Sequence, residues 1–212
     1  MAAELFFRII FSALWVMFLA NVAWVGYLTR AATGKHVSRR VERWRVVAVA
    51  LAVPYFVGVL LYTLLPSWIS FLQIPLPDWF RSIIACVAAV GTLFGVWGIR
   101  VLGKNWAPSL SGVRNDTVLV TTGPYSIVRN PIYLGAFVFI LSLALVAANW
   151  LILLPGLALS VILYTQMGEE EARLIDRFGD AYLEYMKQTP RFIPKFTHKH
   201  RKPESESSAS RT

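Results

Sequence analysis

Four long stretches of this chain, 9–29, 46–77, 82–99 and 130–168, contain no Asp, Glu, Lys or Arg. A charge is expensive in hydrocarbon, and a helix needs roughly 20 apolar residues to cross a bilayer core. Runs of this kind therefore decide where a chain can sit before any motif is read. The first and third stretches are each sized for one span. The second makes a span from 46 to about 65 and leaves Pro66-Ser-Trp-Ile-Ser-Phe-Leu-Gln-Ile-Pro-Leu-Pro77, whose prolines and Trp68 suit a re-entry at the membrane surface. The fourth is too long for one helix and just long enough for two, with Ala147-Ala-Asn-Trp150 as the tight turn between them. The expectation is an all-α integral membrane protein with five transmembrane helices.

Composition agrees. Of 212 residues, 56% are hydrophobic and 16% charged, where a soluble domain carries about a quarter charged. Eight Trp, eight Tyr and thirteen Phe exclude a disordered chain. The single cysteine, Cys86, excludes an internal disulfide scaffold and reads as a small buried hydrophobe. His36, His198 and His200 form no ligand cluster in the sequence. The first apolar run is too long for a secretory signal core and Glu4 precedes it, so it reads as a retained span.

The net charge of +9 raises the question of nucleic acid. Its placement answers otherwise. Arg30, Lys35, Arg39, Arg40, Arg43 and Arg45 crowd the segment 30–45, and Arg100, Lys104, Arg114 and Arg129 follow the third span. Basic residues accumulate on the cytoplasmic side of short loops, so an outside N-terminus and a cytoplasmic C-terminus satisfy every loop. Anionic membrane lipids then account for the charge, and no nucleic-acid partner is expected. The organisation expected is spans one to three with the basic cytoplasmic loop over 1–102, a cytoplasmic cofactor region with spans four and five over 103–195, and a disordered tail over 196–212.

Two polar segments can carry chemistry. In 105–133, Val118-Leu119-Val120 is a short extended run, Thr122-Gly123-Pro124-Tyr125 is turn chemistry, and Arg129-Asn130-Pro131 opens the fourth span. Asn at the N-cap and Pro at the first helical position make a strong helix start, whose free N–H groups also suit a carboxylate or phosphate. Arg129 stands beside it, with Tyr125 and Tyr133 on either side. In 168–194, Leu174, Ile175, Phe178, Tyr182 and Tyr185 recur at helical spacing, as on a C-terminal amphipathic helix at the membrane surface. Glu169, Glu170 and Glu171 would form its first turn, favoured by the helix dipole.

These segments resemble the isoprenylcysteine carboxyl methyltransferases. That family's pattern is Gly-x-Tyr, three residues, then Arg-His-Pro-x-Tyr-x-Gly, and later a Glu-Glu pair, Phe-Gly, Tyr-x-x-Tyr and Pro. The counterparts here are Gly123-Pro124-Tyr125, Arg129-Asn130-Pro131-Ile132-Tyr133-Leu134-Gly135, Glu169-Glu170-Glu171, Phe178-Gly179, Tyr182 to Tyr185, and Pro190 with Pro194. The resemblance runs over about 102–195 and looks close to the compact five-span prokaryotic members. One position departs: Asn130 stands where the family usually has His. Asn can donate a hydrogen bond but cannot titrate.

The resemblance implies S-adenosyl-L-methionine as cofactor, held by Ser111, Val118, Leu119, Val120, Tyr125, Asn130, Pro131, Ile132, Tyr133 and Glu170. It also implies an isoprenylcysteine-like, lipid-tailed acceptor entering from the bilayer, with Arg129 as the catalytic residue that orients the acceptor or the cofactor carboxylate. A carboxylate has a reference pKa near ~4 and needs no general base. Catalysis then reduces to alignment of nucleophile and methyl in a site that excludes water. The rival readings are a phospholipid N-methyltransferase, whose amine acceptor must lose a proton, an NADPH-dependent membrane reductase of the sterol reductase type, and a non-enzymatic membrane anchor.

Overall fold

The computed structural model describes residues 2–29, 39–103 and 118–193. Within them run six helices: α1 (Ala2–Thr29), α2 (Arg39–Leu64), α3 (Asp78–Leu102), α4 (Pro131–Ala147), α5 (Trp150–Phe178) and α6 (Asp180–Gln188), with 3-10 turns at Pro66–Leu72 and Gly123–Ser126. The described residues contain no strand, only the bridge between Gln73 and Asn149. Four helices hold apolar segments long enough to span a membrane: Ala3–Asn21, Val46–Leu64, Asp78–Leu102 and Trp150–Phe178. Large apolar side chains such as Val16, Leu60, Val90, Leu93 and Val161 are more than half exposed around the outside, a surface that suits lipid rather than water.

The fifth expected span, α4, has 17 residues, about 25 Å at 1.5 Å per residue, the lower limit for a crossing. Its ends still meet both ends of the bundle. At one end, Val146 in its last turn accepts a hydrogen bond from Arg81 Nε of α3 at 2.9 Å, and the Ala148 carbonyl accepts from Ile74 N at 2.6 Å. At the other end, Asn130 before its first turn meets α5. The chain reverses between α4 and α5 where the sequence placed a tight turn. Ala148 is left-handed at φ 49°, and the Asn149 side chain caps α5 by accepting from Leu151 N at 2.9 Å and donates to the Ile69 carbonyl of the 3-10 turn. That turn exposes Trp68 and Phe71 and buries Ile69, as expected of a segment lying on the interface.

The end of the bundle that carries the α1 N-terminus is closed by a polar network. Glu4, in the first turn of α1, accepts from Arg81 Nη1 at 2.9 Å and from the Tyr62 phenol at 2.7 Å. Arg81 is 3% exposed and lies 3.9 Å over the Phe7 ring. Charges this deep persist only when paired and hydrogen-bonded. Below them, Phe7, Phe11, Val59, Phe139, Leu143 and Ile152 form the core, with Phe18 stacked on Phe139 at 4.5 Å.

Four expectations are corrected. α2 begins at Arg39, so Arg39, Arg40, Arg43 and Arg45 ride on a helix rather than a loop. α5 continues unbroken for 29 residues, about 44 Å, so Glu169–Glu171 lie in its interior and not in a first turn. The amphipathic segment breaks at Gly179, whose φ of 53° suits glycine, so its apolar face is shared between the end of α5 and α6. Cys86 is exposed on the outer face of α3 rather than buried. The tail 196–212 lies outside the described residues.

Candidate active site

Small residues bring α3 and α4 into close contact. A Cβ added to Gly135 would stand 2.7 Å from Gly95 Cα and 2.8 Å from the Gly91 carbonyl oxygen. One added to Gly98 would meet Ile132 and Pro131 side chains at 3.1 and 3.2 Å. Backbones that touch in this way are the membrane solution to helix packing where no hydrophobic drive exists between helices. The glycine stripe therefore sets the position of the α4 N-terminus, where the first polar segment arrives.

That segment is held on its other side by α5 and α6. Arg129 N donates to the Pro190 carbonyl at 2.9 Å. The Tyr185 phenol donates to the Tyr125 carbonyl at 2.6 Å. Arg129 donates through Nη1 to the carbonyls of Met186 at 3.1 Å and Thr189 at 2.7 Å, at the C-terminal end of α6 where carbonyls lack helical partners. Its Nε faces Glu171 Oε1 at 3.3 Å.

Glu171 is the centre of the arrangement. Its side chain is 3% exposed and takes a hydrogen bond from Asn130 Nδ2 at 2.7 Å on Oε1, and an ion pair from Arg191 on Oε2. Three donors, Arg129 and Asn130 ahead of α4 and Arg191 after α6, thus meet on one carboxylate. Such charge-assisted bonds are the strong ones, and an unpaired buried carboxylate is not tolerated. One helical position earlier, Glu170 Oε2 accepts from the Tyr133 phenol at 2.7 Å.

The structure thus brings together Tyr125, Arg129, Asn130, Pro131, Tyr133 and Glu170 at one end of the bundle. Pro131 and Tyr133 are buried, Ile132 half-buried. Leu119 and Val120 approach the cluster in sequence without forming a strand, Val118 is exposed, and Ser111 lies outside the described residues. Asn130 occupies the N-cap position, yet its side chain makes no cap bond. Its Nδ2 instead donates to Glu171 Oε1, which turns the amide toward α5 rather than over the first turn of α4. Sequence reasoning singled out Glu170 and missed Glu171 and Arg191; helical spacing separates neighbouring glutamates by about 100°, and nothing local says which one turns inward.

Burial, with the charge of Glu170 beside it, pushes the Tyr125 phenol well above its ordinary value, and burial does the same to Tyr182 and Tyr185. These phenols stay neutral at physiological pH, and that of Tyr185 donates to the Tyr125 carbonyl. Among the described residues no His is present, and no group of three His, Cys, Asp or Glu side chains is placed to hold a metal. The arrangement offers cation-holding faces, hydrogen-bond acceptors and orientation, with no nucleophile paired to a base.

Comparison with known proteins agrees with the motifs. Residues 80–181 match the family model described as phospholipid methyltransferase. A protein-S-isoprenylcysteine O-methyltransferase from Schizosaccharomyces pombe is 36% identical over 94 residues, 43% of this chain and 40% of that protein. A nickel-cobalt-cadmium resistance protein, NccN, from Alcaligenes xylosoxydans xylosoxydans is 31% identical over 114 residues, 52% of this chain and 53% of its own. The chain thus spans about half the length or less of these relatives. The solved structure of a eukaryotic intramembrane Ras methyltransferase, isoprenylcysteine carboxyl methyltransferase, superposes with a TM-score of 0.54 at 22% identity, covering 84% of this chain and 63% of the other. At that identity the likeness establishes the helical membrane fold.

Proposed function

For a chain whose C-terminal half is related to the isoprenylcysteine carboxyl methyltransferases, we propose transfer of a methyl group from S-adenosylmethionine to the carboxylate of a lipid-tailed, isoprenylcysteine-like acceptor. One observation carries this reading. The two motif-bearing segments meet through the Tyr133–Glu170 and Asn130–Glu171 hydrogen bonds, at the start of α4. The residues present fit the cofactor. Tyr125 and Tyr133 supply aromatic faces for a sulfonium, Glu170 an acceptor for amino or ribose groups, and Asn130, Pro131 and Ile132 the start of α4 for the carboxylate, with Val118, Leu119 and Val120 on the segment that leads to them.

When bound, the cofactor supplies an electrophilic methyl on sulfur. Transfer to a carboxylate oxygen would form an O–CH3 bond at the expense of the S–CH3 bond, giving a neutral thioether and a neutral ester. No proton moves, which suits a cluster that holds no His among the described residues. The chain's own part is orientation: Glu171 ties Asn130 to α5, and Arg129 ties the loop to α6, so both fix the α4 start. Arg129 acts here as a positioning residue, its donors directed to Glu171 and to the carbonyls of Met186 and Thr189.

A second reading, methylation of a phospholipid amine, is favoured by the name of the matching family model. Membranes containing the protein are incubated with methyl-labelled cofactor and a prenylcysteine analogue or phosphatidylethanolamine, then treated with base. Label released as volatile methanol is expected; base-stable label in phospholipid alone overturns the carboxylate reading. Replacing Glu170 with Ala weakens S-adenosylhomocysteine binding by about 1.5–3 kcal/mol if its acceptor role holds. We also place the N-terminus outside and the C-terminus in the cytoplasm. A cysteine at Trp150, which is 45% exposed beside the buried Ala148, reports this by labelling from the outside in a Cys86→Ala background.

A further inference from the structure

The segment after α6 crosses the bundle end as a strap. Pro190 is tied to Arg129 N, Phe192 packs edge-on against Phe137 of α4 at 5.4 Å, and Ile193 stands 80% exposed. Arg191 reaches in two directions from this strap. One terminal nitrogen pairs with the buried carboxylate of Glu171; the other donates to the Tyr164 phenol at 3.3 Å, with the guanidinium 5.8 Å from that ring's centroid. Tyr164 is 52% exposed on the outward face of α5 that also presents Leu157 and Val161.

The two arginines at Glu171 are therefore unlike. The Arg129 side chain is 9% exposed, and it donates to Glu171 and to two backbone carbonyls. The Arg191 side chain keeps 34% of its surface exposed, and its partners among the described residues are two oxygens for the five N–H groups a guanidinium carries. Two guanidiniums share the one carboxylate of Glu171, so a further anion can be accepted without stripping Arg191 of its anchor. Tyr164 and Ile193 are both exposed, apolar surface of the kind that suits a lipid tail.

We propose that Arg191 is the specificity-determining residue for the acceptor: its exposed guanidinium edge reads the anionic head of a lipid-tailed molecule arriving along α5 past Tyr164, and presents that head to the Asn130–Glu171 corner. The proposal rests on the carboxylate-methylation reading for its purpose. Its test is a binding measurement made without turnover, so the two fail separately.

Purified protein in nanodiscs is titrated with N-acetyl-S-farnesylcysteine and with the matching carboxamide, which keeps the tail and loses the charge. The native chain is expected to prefer the carboxylate. Arg191→Gln lowers carboxylate affinity by about tenfold or more, the effect of one charge-assisted bond, while leaving the carboxamide unchanged. Arg191→Lys restores part of the preference, because it keeps the charge and loses the fork. Binding of S-adenosylhomocysteine stays within about twofold in both variants. An undiminished preference in Arg191→Gln overturns the proposal. So does a parallel fall for carboxylate, carboxamide and S-adenosylhomocysteine, which would assign Arg191 to holding Glu171 alone. Should wild-type protein leave only base-stable label on an amine lipid, the methylation reading fails while the carboxylate preference still decides the role of Arg191.

Discussion

Replacing Gly135 with Ala probes the contact on which the site is built. The added methyl carbon would face Gly95 Cα at 2.7 Å, the Gly91 oxygen at 2.8 Å and Gly95 N at 2.9 Å, all backbone atoms that cannot rotate away. Ordinary contact begins near 3.4 Å, so α3 and α4 must part by roughly 0.7 Å. A gap of that size removes between a quarter and a half of the dispersion energy along the contact. With overpacking costing about 1–3 kcal/mol, the rigid surroundings put this case near 3 kcal/mol. For a chain of this length that is a fall in melting temperature of about 6–12 °C. The same displacement moves Asn130 from the Glu171 oxygen it meets at 2.7 Å, so S-adenosylhomocysteine affinity falls with stability. Two controls share the chemistry but not the geometry. At Gly95 the new carbon first meets Gly135 Cα at 3.4 Å, and the loss stays within about 1 kcal/mol; at Gly168 it meets nothing within 4 Å, and Ala stabilises the helix by about 0.5–1 kcal/mol. Thermal melts and calorimetry in detergent measure all three. A Gly135→Ala protein that melts with the native one, or a Gly168→Ala protein that falls as far as Gly135→Ala, refutes the reasoning.

Glu4→Gln removes the nearer counter-charge of the buried Arg81 guanidinium, leaving Asp78 at 3.9 Å, and is expected to destabilise by about 3 kcal/mol, the low end for such a break because Glu4 itself is partly exposed. Replacing both residues by Leu and Met recovers most of that loss in the same melts; a double variant as unstable as the single one argues against an ion-pair origin. The raised phenols of Tyr125, Tyr182 and Tyr185 predict an alkaline limb. Their folded values lie above the unfolded value near 10, so their contribution is complete below about pH 10 and lost as pH rises further. Melting temperature measured from pH 8 to 11.5 should hold and then drop, and Tyr185→Phe should soften the drop. A fall already complete between pH 7 and 9 contradicts this.

The spans were readable because hydrocarbon rejects charge whatever the fold, so an uncharged run in the sequence reports directly on the membrane. The turn at Ala147–Trp150 was readable for the same reason that Asn149 caps α5: a short polar side chain bonds its own neighbourhood. Asn130 looked identical in sequence and behaves differently, because its Nδ2 donates to a carboxylate 41 residues away and its side chain caps nothing. Glu4 and Arg81 were each visible as charges at span ends, but their pairing joins α1 to α3 and leaves no local trace. The glycines that set the α3–α4 contact did carry a signal. Gly91 and Gly95 are spaced as small residues at a helix crossing, and Gly135 opposite them completes a pattern that only reading two helices together reveals.

The Glu4–Arg81 network has a bearing on how the chain is made. A first helix that enters the bilayer carries Glu4 before any partner exists, since Tyr62 arrives with the second helix, Arg81 with the third, and the Val146 carbonyl that fixes Arg81 with the fourth. The network therefore closes only when most of the polypeptide has left the ribosome, and the amino end is secured late rather than early. Nascent chains arrested before Asp78 should hold α1 loosely enough to be extracted or degraded, whereas those arrested after Ala148 should resist both. The acid at the start of α1 is thus paired with a base made 77 positions later.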